Sequence, residues 1–181
     1  EMCIRDRAQL LMNVYIQVFR GTPMIVQAVV IYYGAQYAGV FMDTTFAAIF
    51  IISINTGAYM AEIIRGGIVS VDKGQFEAAH AIGMTHWQTM TTVVLPQAIR
   101  NILPSVGNEL IVNIKDSSVL NVISVSELFF QAKSAAGTYY RYFEVYFIIA
   151  VIYLILTLSV SAILRAVEKK MDGPDNYVIH G

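Results

Sequence analysis

The sequence predicts an all-α, polytopic transmembrane helix bundle, and three observations lead there. Hydrophobic residues make up 56% of the 181-residue chain and charged residues only 14%, against about 25% charged in an average soluble domain. Mean hydropathy is +0.58, too apolar for a surface that must face water on all sides. Uncharged runs also come close to, or exceed, the roughly 20 residues a helix needs to cross the hydrocarbon core. A net charge of −1 gives no electrostatic footprint for nucleic acid. The single cysteine, Cys3, leaves neither a disulfide framework nor a cysteine metal site.

Taken in order, the chain opens on EMCIRDR, residues 1–7, a mixed-charge leader with no apolar signal-peptide core. The run Ala8–Phe19 has 12 residues, too short to span by itself. It fits the lower part of a longer helix that continues past Arg20, with Gly21, Thr22 and Pro23 as a kink. Gly21–Met42 carries no charge over 22 residues and reads as the first good span. Thr44–Ala61, 18 uncharged residues closed by Glu62 and Arg65, reads as the second. Its Asn55-Thr56-Gly57-Ala58 segment predicts close helix contacts or a lined pathway.

Residues 72–96 break this pattern. Asp72 with Gln75, and Thr85 with Gln88, have capping-box spacing. They predict two short helices, the first stopping at Gly83 and the second at Leu95, with Pro96 opening the next helix. Residues 97–126 are long enough to span yet carry Arg100, Glu109, Lys115 and Asp116. Charges at membrane depth nearly always face protein or water. Glu109, Asn113 and Asp116 stand at i, i+4 and i+7, so they share one helical face. That narrow acidic stripe predicts an interior lining rather than a wetted surface helix. An aromatic connector, 127–144, leads to the clearest span, Val145–Leu164, and then to Arg165, Lys169 and Lys170.

Four spans are therefore expected, with a polar tail over 171–181. Arg65, Lys73 and Arg100 flank the island and three basic residues follow the last span, which places both on the cytoplasmic side. Lys133 and Arg141 on the opposite loop weaken that asymmetry. No GxxxxGK[ST], HExxH or GxSxG motif occurs, so ATP hydrolysis and the searched hydrolase chemistries have no sequence support.

Four phrases carry a family resemblance: FRGTPMIVQ, INTGAYMAEIIRGGI, the Glu77-Ala78-Ala79…Gly83…Leu95-Pro96 island, and LPSVGNELIVNIKDSSVL. In that order they resemble the polar amino acid permeases (histidine, glutamine and arginine type) of bacterial ABC importers, from about Val14 to Lys170. The resemblance implies the type I importer permease fold over residues 8–170, with the leader 1–7 matching nothing in the family. Five spans would then be usual, so the first lies outside this sequence. It also implies an inner-membrane subunit that is not itself an enzyme and binds no cofactor. ATP-Mg would sit on partner ATP-binding subunits, a second permease chain would complete the path, and an extracytoplasmic amino acid-binding protein would deliver the solute.

The resemblance makes residues 72–96 the EAA coupling loop, with Glu77, Ala78, Ala79 and Gly83 as ATPase-coupling residues. Small alanines let a helix seat closely in a partner's groove, and Glu77 suits a helix N-terminus. An ordinary cytoplasmic loop is the plainer alternative. Glu109, Asn113, Asp116 and Ser117 are the candidate substrate path, since carboxylates pair with an ammonium group. The plainer alternative has Glu109 or Asp116 neutralising Arg100 or Lys115. Arg20 reads as a snorkelling anchor, with a gate or inter-span partner as the alternative, and Glu62–Arg65 as a structural pair. Trp87 reads as an interfacial or subunit-packing anchor. His80 and His86 lack further ligands for a metal. An ion-coupled secondary amino acid transporter is the rival function, though it would have no motor for the island to meet.

Overall fold

In a computed structural model, the described residues, Met2–Asp172, are helices and short connections, with side chains described from Asp6 to Met171. The expected tail beyond Asp172 lies outside them. The order is α1 (Met2–Gly21), α2 (Met24–Tyr37), α3 (Thr44–Val69), α4 (Lys73–Ala81), α5 (His86–Gln88), a wide π-type turn (Thr89–Val94), α6 (Leu95–Asp116), a 3-10 turn (Ser117–Ile123), α7 (Leu128–Tyr139) and α8 (Tyr142–Asp172).

Two helices, α3 and α8, are long and apolar enough to cross a membrane, and a third span exists if the bent pair α1–α2 is counted as one. The four expected spans thus resolve unequally. Gly21–Met42 is not one rod, because α2 has only 14 residues, about 21 Å at 1.5 Å per residue. Nor does α1 continue past Arg20 with a kink: the axis turns by 112° at Gly21–Pro23. Residues 97–126 divide into α6, long enough to span but more polar than α3 and α8, and the 3-10 turn. The connector 127–144 is largely helix, because Glu127 caps α7 by accepting from the Phe129 and Phe130 amides at 2.6 Å each.

The bundle is built on α3 and α6, with α1 against α3, and α8 against α6 and α7. Gly67 makes the central approach possible: a Cβ there would lie 2.0 Å from Ile102 Cγ2 and 3.3 Å from the Ala98 carbonyl oxygen. Small residues allow such contact where lipid gives no hydrophobic drive to association. An apolar cluster of Ala28, Ala47, Ala48, Ile51, Leu120 and Ile123 joins α2, α3 and the 3-10 turn. A second, Val71, Val94 and Ala98 with Ile68, Phe76 and Met90 packed on it, roots the island.

Charged groups at the α1–α3 contact pair with each other. Glu62 takes a two-point hydrogen bond from Arg65, at 2.9 and 2.8 Å, as the i, i+3 spacing predicted. It also receives Arg20 at 3.5 Å, and the Arg20 guanidinium lies 5.6 Å from the centre of the Tyr59 ring. Arg20 is therefore an inter-helix partner, not the free anchor expected from sequence. The reason is the packing of α1 along α3, which Tyr15 also marks by donating its hydroxyl to the Ile54 carbonyl at 2.6 Å.

Candidate functional site

The island folds as an elbow, and its first helix begins and ends where the sequence placed it. Asp72 accepts from the Gly74 amide at 2.7 Å, but the reciprocal Gln75 side-chain bond of a capping box is not formed. At the other end the Gly83 amide donates to the His80 carbonyl and the Met84 amide to the Ala79 carbonyl, both at 3.0 Å. That pair is a Schellman stop, which needs a left-handed residue. Gly83, at φ +83°, supplies it.

The Thr85–Gln88 capping box is present in full. The helix it starts does not stop at Leu95, however. The Leu95 amide reaches back five residues to the Met90 carbonyl, and the rod runs on into α6. A widened turn ahead of Pro96 accommodates a residue that has no N–H and crowds the preceding turn.

The coupling candidates divide on this frame. Glu77, Ala78 and Gly83 are exposed, whereas Ala79 is 4% exposed. Ala79 is thus a spacer inside the elbow, where α4 packs on the π-type turn, and not a surface contact. Two large apolar side chains that the sequence reading left out of the coupling set complete the outer surface. Ile82 is 79% and Trp87 75% exposed. His80 Nδ1 bonds the Phe76 carbonyl at 2.7 Å, a local helix bond. Among the described residues no group of three or more His, Cys, Asp or Glu could hold a metal.

The acidic stripe also divides. Glu109 and Asp116 line one cavity of about 280 Å³ with Thr22, Pro23, Met24, Asn55, Tyr59 and Val112. Asn113 turns instead to α3, where its Oδ1 accepts from Thr56 Oγ1 at 3.0 Å. Ser117 is used locally, donating to the Ile114 carbonyl at 2.9 Å. Neither Asn113 nor Ser117 is among the cavity-lining residues. Among the described residues the ion pairs involve Glu62 alone, so neither cavity carboxylate has a basic partner within 4 Å. The plainer alternative, neutralisation by Arg100 or Lys115, is not realised.

Glu109 is largely buried, and no buried side-chain oxygen in the described structure is left both enclosed and unpartnered. Its carboxylate is served by the cavity. Asn55 and Tyr59 were legible as cavity candidates from their i, i+4 spacing, which continues the face towards Glu62. Thr22 and Pro23 were not, since their place depends on the size of the bend. Chemically the site is a small acceptor-rich chamber between helices, suited to a cationic or N–H-rich solute.

A polar chamber inside an apolar helix bundle, with an exposed elbow whose tip is apolar, fits a membrane transport component. The model for "Binding-protein-dependent transport system inner membrane component" matches residues 2–173, and the chain belongs to that family. It is a multi-pass inner-membrane permease and not an enzyme, and ATP is bound by a partner ATPase. Family membership also implies a binding-protein partner.

The chain is 44% identical over 160 residues to the glutamine transport system permease protein GlnP of Escherichia coli (strain K12), covering 87% of this chain and 73% of that one. It is 41% identical over 162 residues to the arginine transport system permease protein ArtQ of Bacillus subtilis (strain 168), covering 89% and 74%. A crystal structure of an amino acid ABC transporter with histidines superposes with a TM-score of 0.86 at 45% identity, covering 91% of this chain and 77% of that one. The inward-facing MetNI methionine ABC transporter, at 19% identity and a TM-score of 0.72 over 94% and 79%, shares the fold.

Proposed function

We propose that this chain is the permease of an ATP-driven importer of polar amino acids, and that the solute passes through the chamber lined by Glu109 and Asp116. The observation that carries the reading is a pair of carboxylates without basic partners in a cavity sized for a small solute. Relatives named for glutamine and arginine transport support the substrate class. An α-ammonium group would replace the water that hydrates the carboxylates, and charge-assisted bonds of that kind are the strong ones.

The elbow is the motor contact in this reading. Glu77, Ala78, Ile82 and Trp87 meet the ATP-binding subunit, while Ala79 and Gly83 hold the elbow's shape. Since α5 is one rod with α6 through the π-type turn and α4 packs on that turn, a push on α4 is carried to the helix bearing Glu109. The elbow and the C-terminal end of α8 face the cytoplasm, as the basic residues around both favour. A second permease chain, identical or related, completes the path. The outward apolar surface of α8, most of it exposed, faces lipid or that neighbour.

Proteoliposomes containing the permease, its ATP-binding subunits and its binding protein test this directly. Uptake of glutamine or arginine should require ATP and be lost without the ATPase. Uptake driven by an ion gradient alone would instead establish the secondary-transporter reading.

A further inference from the structure

Part of the chamber wall is the α1–α2 bend, and the hydrogen bonds there run in one direction only. Ending α1 at Gly21 frees its last carbonyls. Thr22 Oγ1 donates to the Val18 carbonyl at 2.8 Å, so towards its other neighbours that hydroxyl is an acceptor. Gln27, 6% exposed, places its Nε2 2.8 Å from the Phe19 carbonyl, 2.9 Å from the Thr22 carbonyl and 2.9 Å from Thr22 Oγ1. All three groups are acceptors, so only the amide nitrogen can stand there.

Gln27 Oε1 is therefore turned to Asn55, itself 7% exposed, and must receive a donor. Asn55 gives its Nδ2 to Gln27 Oε1 at 2.9 Å and towards the Phe19 carbonyl at 3.4 Å. That commits the nitrogen of Asn55 and leaves its Oδ1 for the cavity it lines.

We propose that Gln27 is a positioning residue that sets the hydrogen-bond polarity of the solute chamber through Asn55. Backbone carbonyls freed by the bend orient Gln27, Gln27 orients Asn55, and Asn55 then presents an acceptor beside the Glu109 and Asp116 carboxylates. The chamber thereby selects an N–H donor, the α-ammonium of an amino acid, over an acceptor group of the same size. An asparagine free to rotate would serve either. This rests on the proposal that the chamber binds the solute.

The test is equilibrium binding of L-glutamine and of its deaminated counterpart to the permease assembled with its ATP-binding subunits in nanodiscs. Gln27→Met keeps the side chain's length and removes both amide functions. It should lower the preference for the ammonium form about ten-fold, the scale of one hydrogen bond to a charged group. Asn55→Ala should lower it similarly, and Gln27→Met should add nothing in the Asn55→Ala background, because the two residues act as one unit. Should the single Gln27→Met protein fail to assemble, Asn55→Ala against the double variant decides, since removing both partners leaves no orphaned amide. A further loss in the double variant, or equal weakening of both ligands by Gln27→Met, overturns the proposal. Glu109→Gln separates the two readings. If it binds L-glutamine like the unaltered protein, the chamber is not the solute site and both fall. If it loses binding while Gln27→Met keeps full discrimination, only the polarity relay falls.

Discussion

The elbow and the chamber distribute polarity in opposite senses. The elbow, read as lying in water, exposes Ile82 and Trp87. The chamber, inside an apolar bundle, buries Gln27, Asn55 and Glu109. Each runs against its surroundings, and each mismatch has a physical remedy. Large apolar groups in water are stabilised when a partner covers them. Polar groups in an apolar medium need hydrogen bonds or a polar occupant. On the function proposed above, the elbow is a place for a protein and the chamber a place for a solute. The comparison is sharpest where one substitution disturbs one region and spares the other.

The largest separation is expected from Glu109→Gln, which removes a charge that only the solute answers. Solute-stimulated ATPase activity should fall at least ten-fold, while co-purification of the ATP-binding subunits is unchanged. Trp87→Ala with Ile82→Ser should do the reverse. Exposed aromatic anchors are typical hot spots worth about 2 kcal/mol or more, so subunit retention should drop about thirty-fold, measured by pull-down. Retained binding would mean that the elbow's apolar tip is not the contact.

Smaller effects probe the frame that both regions share. Gly67→Ala would press a methyl group into Ile102 and the Ala98 carbonyl, and overpacking of this kind costs about 1–3 kcal/mol. It should lower the thermal midpoint of the assembled complex and disturb both regions together. Gly83→Ala has open space around it but keeps φ +83°, a strain of about 1–2 kcal/mol. It should loosen the elbow and reduce coupling with little change in thermal midpoint.

Asp43 gives the smallest effect and a pH signature. Amide hydrogen bonds from Phe46, then Thr45, hold its carboxyl below the ordinary 3.8. The capping contribution is full above that ordinary value and disappears as pH falls through the lowered folded-state one. A small deficit of Asp43→Ala against the unaltered protein should therefore vanish in strong acid, read by thermal melting across pH.

The two regions also differed in how legible they were. The elbow is built from local rules, caps at Asp72 and Thr85 and a left-handed stop at Gly83, so short stretches of sequence specify it. Its continuation through the π-type turn was not legible, because Pro96 serves equally well as a helix start and as a residue just after a widened turn. The acidic face of α6 was legible from spacing. Which members of it open to the chamber was not, because that depends on α3, whose Thr56 captures Asn113. The bend at Gly21–Pro23 announced itself as a break. Its 112° angle, which brings Thr22 to the chamber, was not legible, because it goes with contacts distant in sequence such as Gln27 and Asn55 meeting across 28 residues of chain.

The most direct measurement of the central claim crosses the two regions in one preparation. ATPase activity of the reconstituted complex, with and without solute-loaded binding protein, would be recorded for Glu109→Gln and for the Trp87–Ile82 variant, with subunit stoichiometry in each. Glu109→Gln should give a complete but unstimulated complex, and the elbow variant an incomplete one. Full stimulation in Glu109→Gln, with normal stoichiometry, would contradict the central claim.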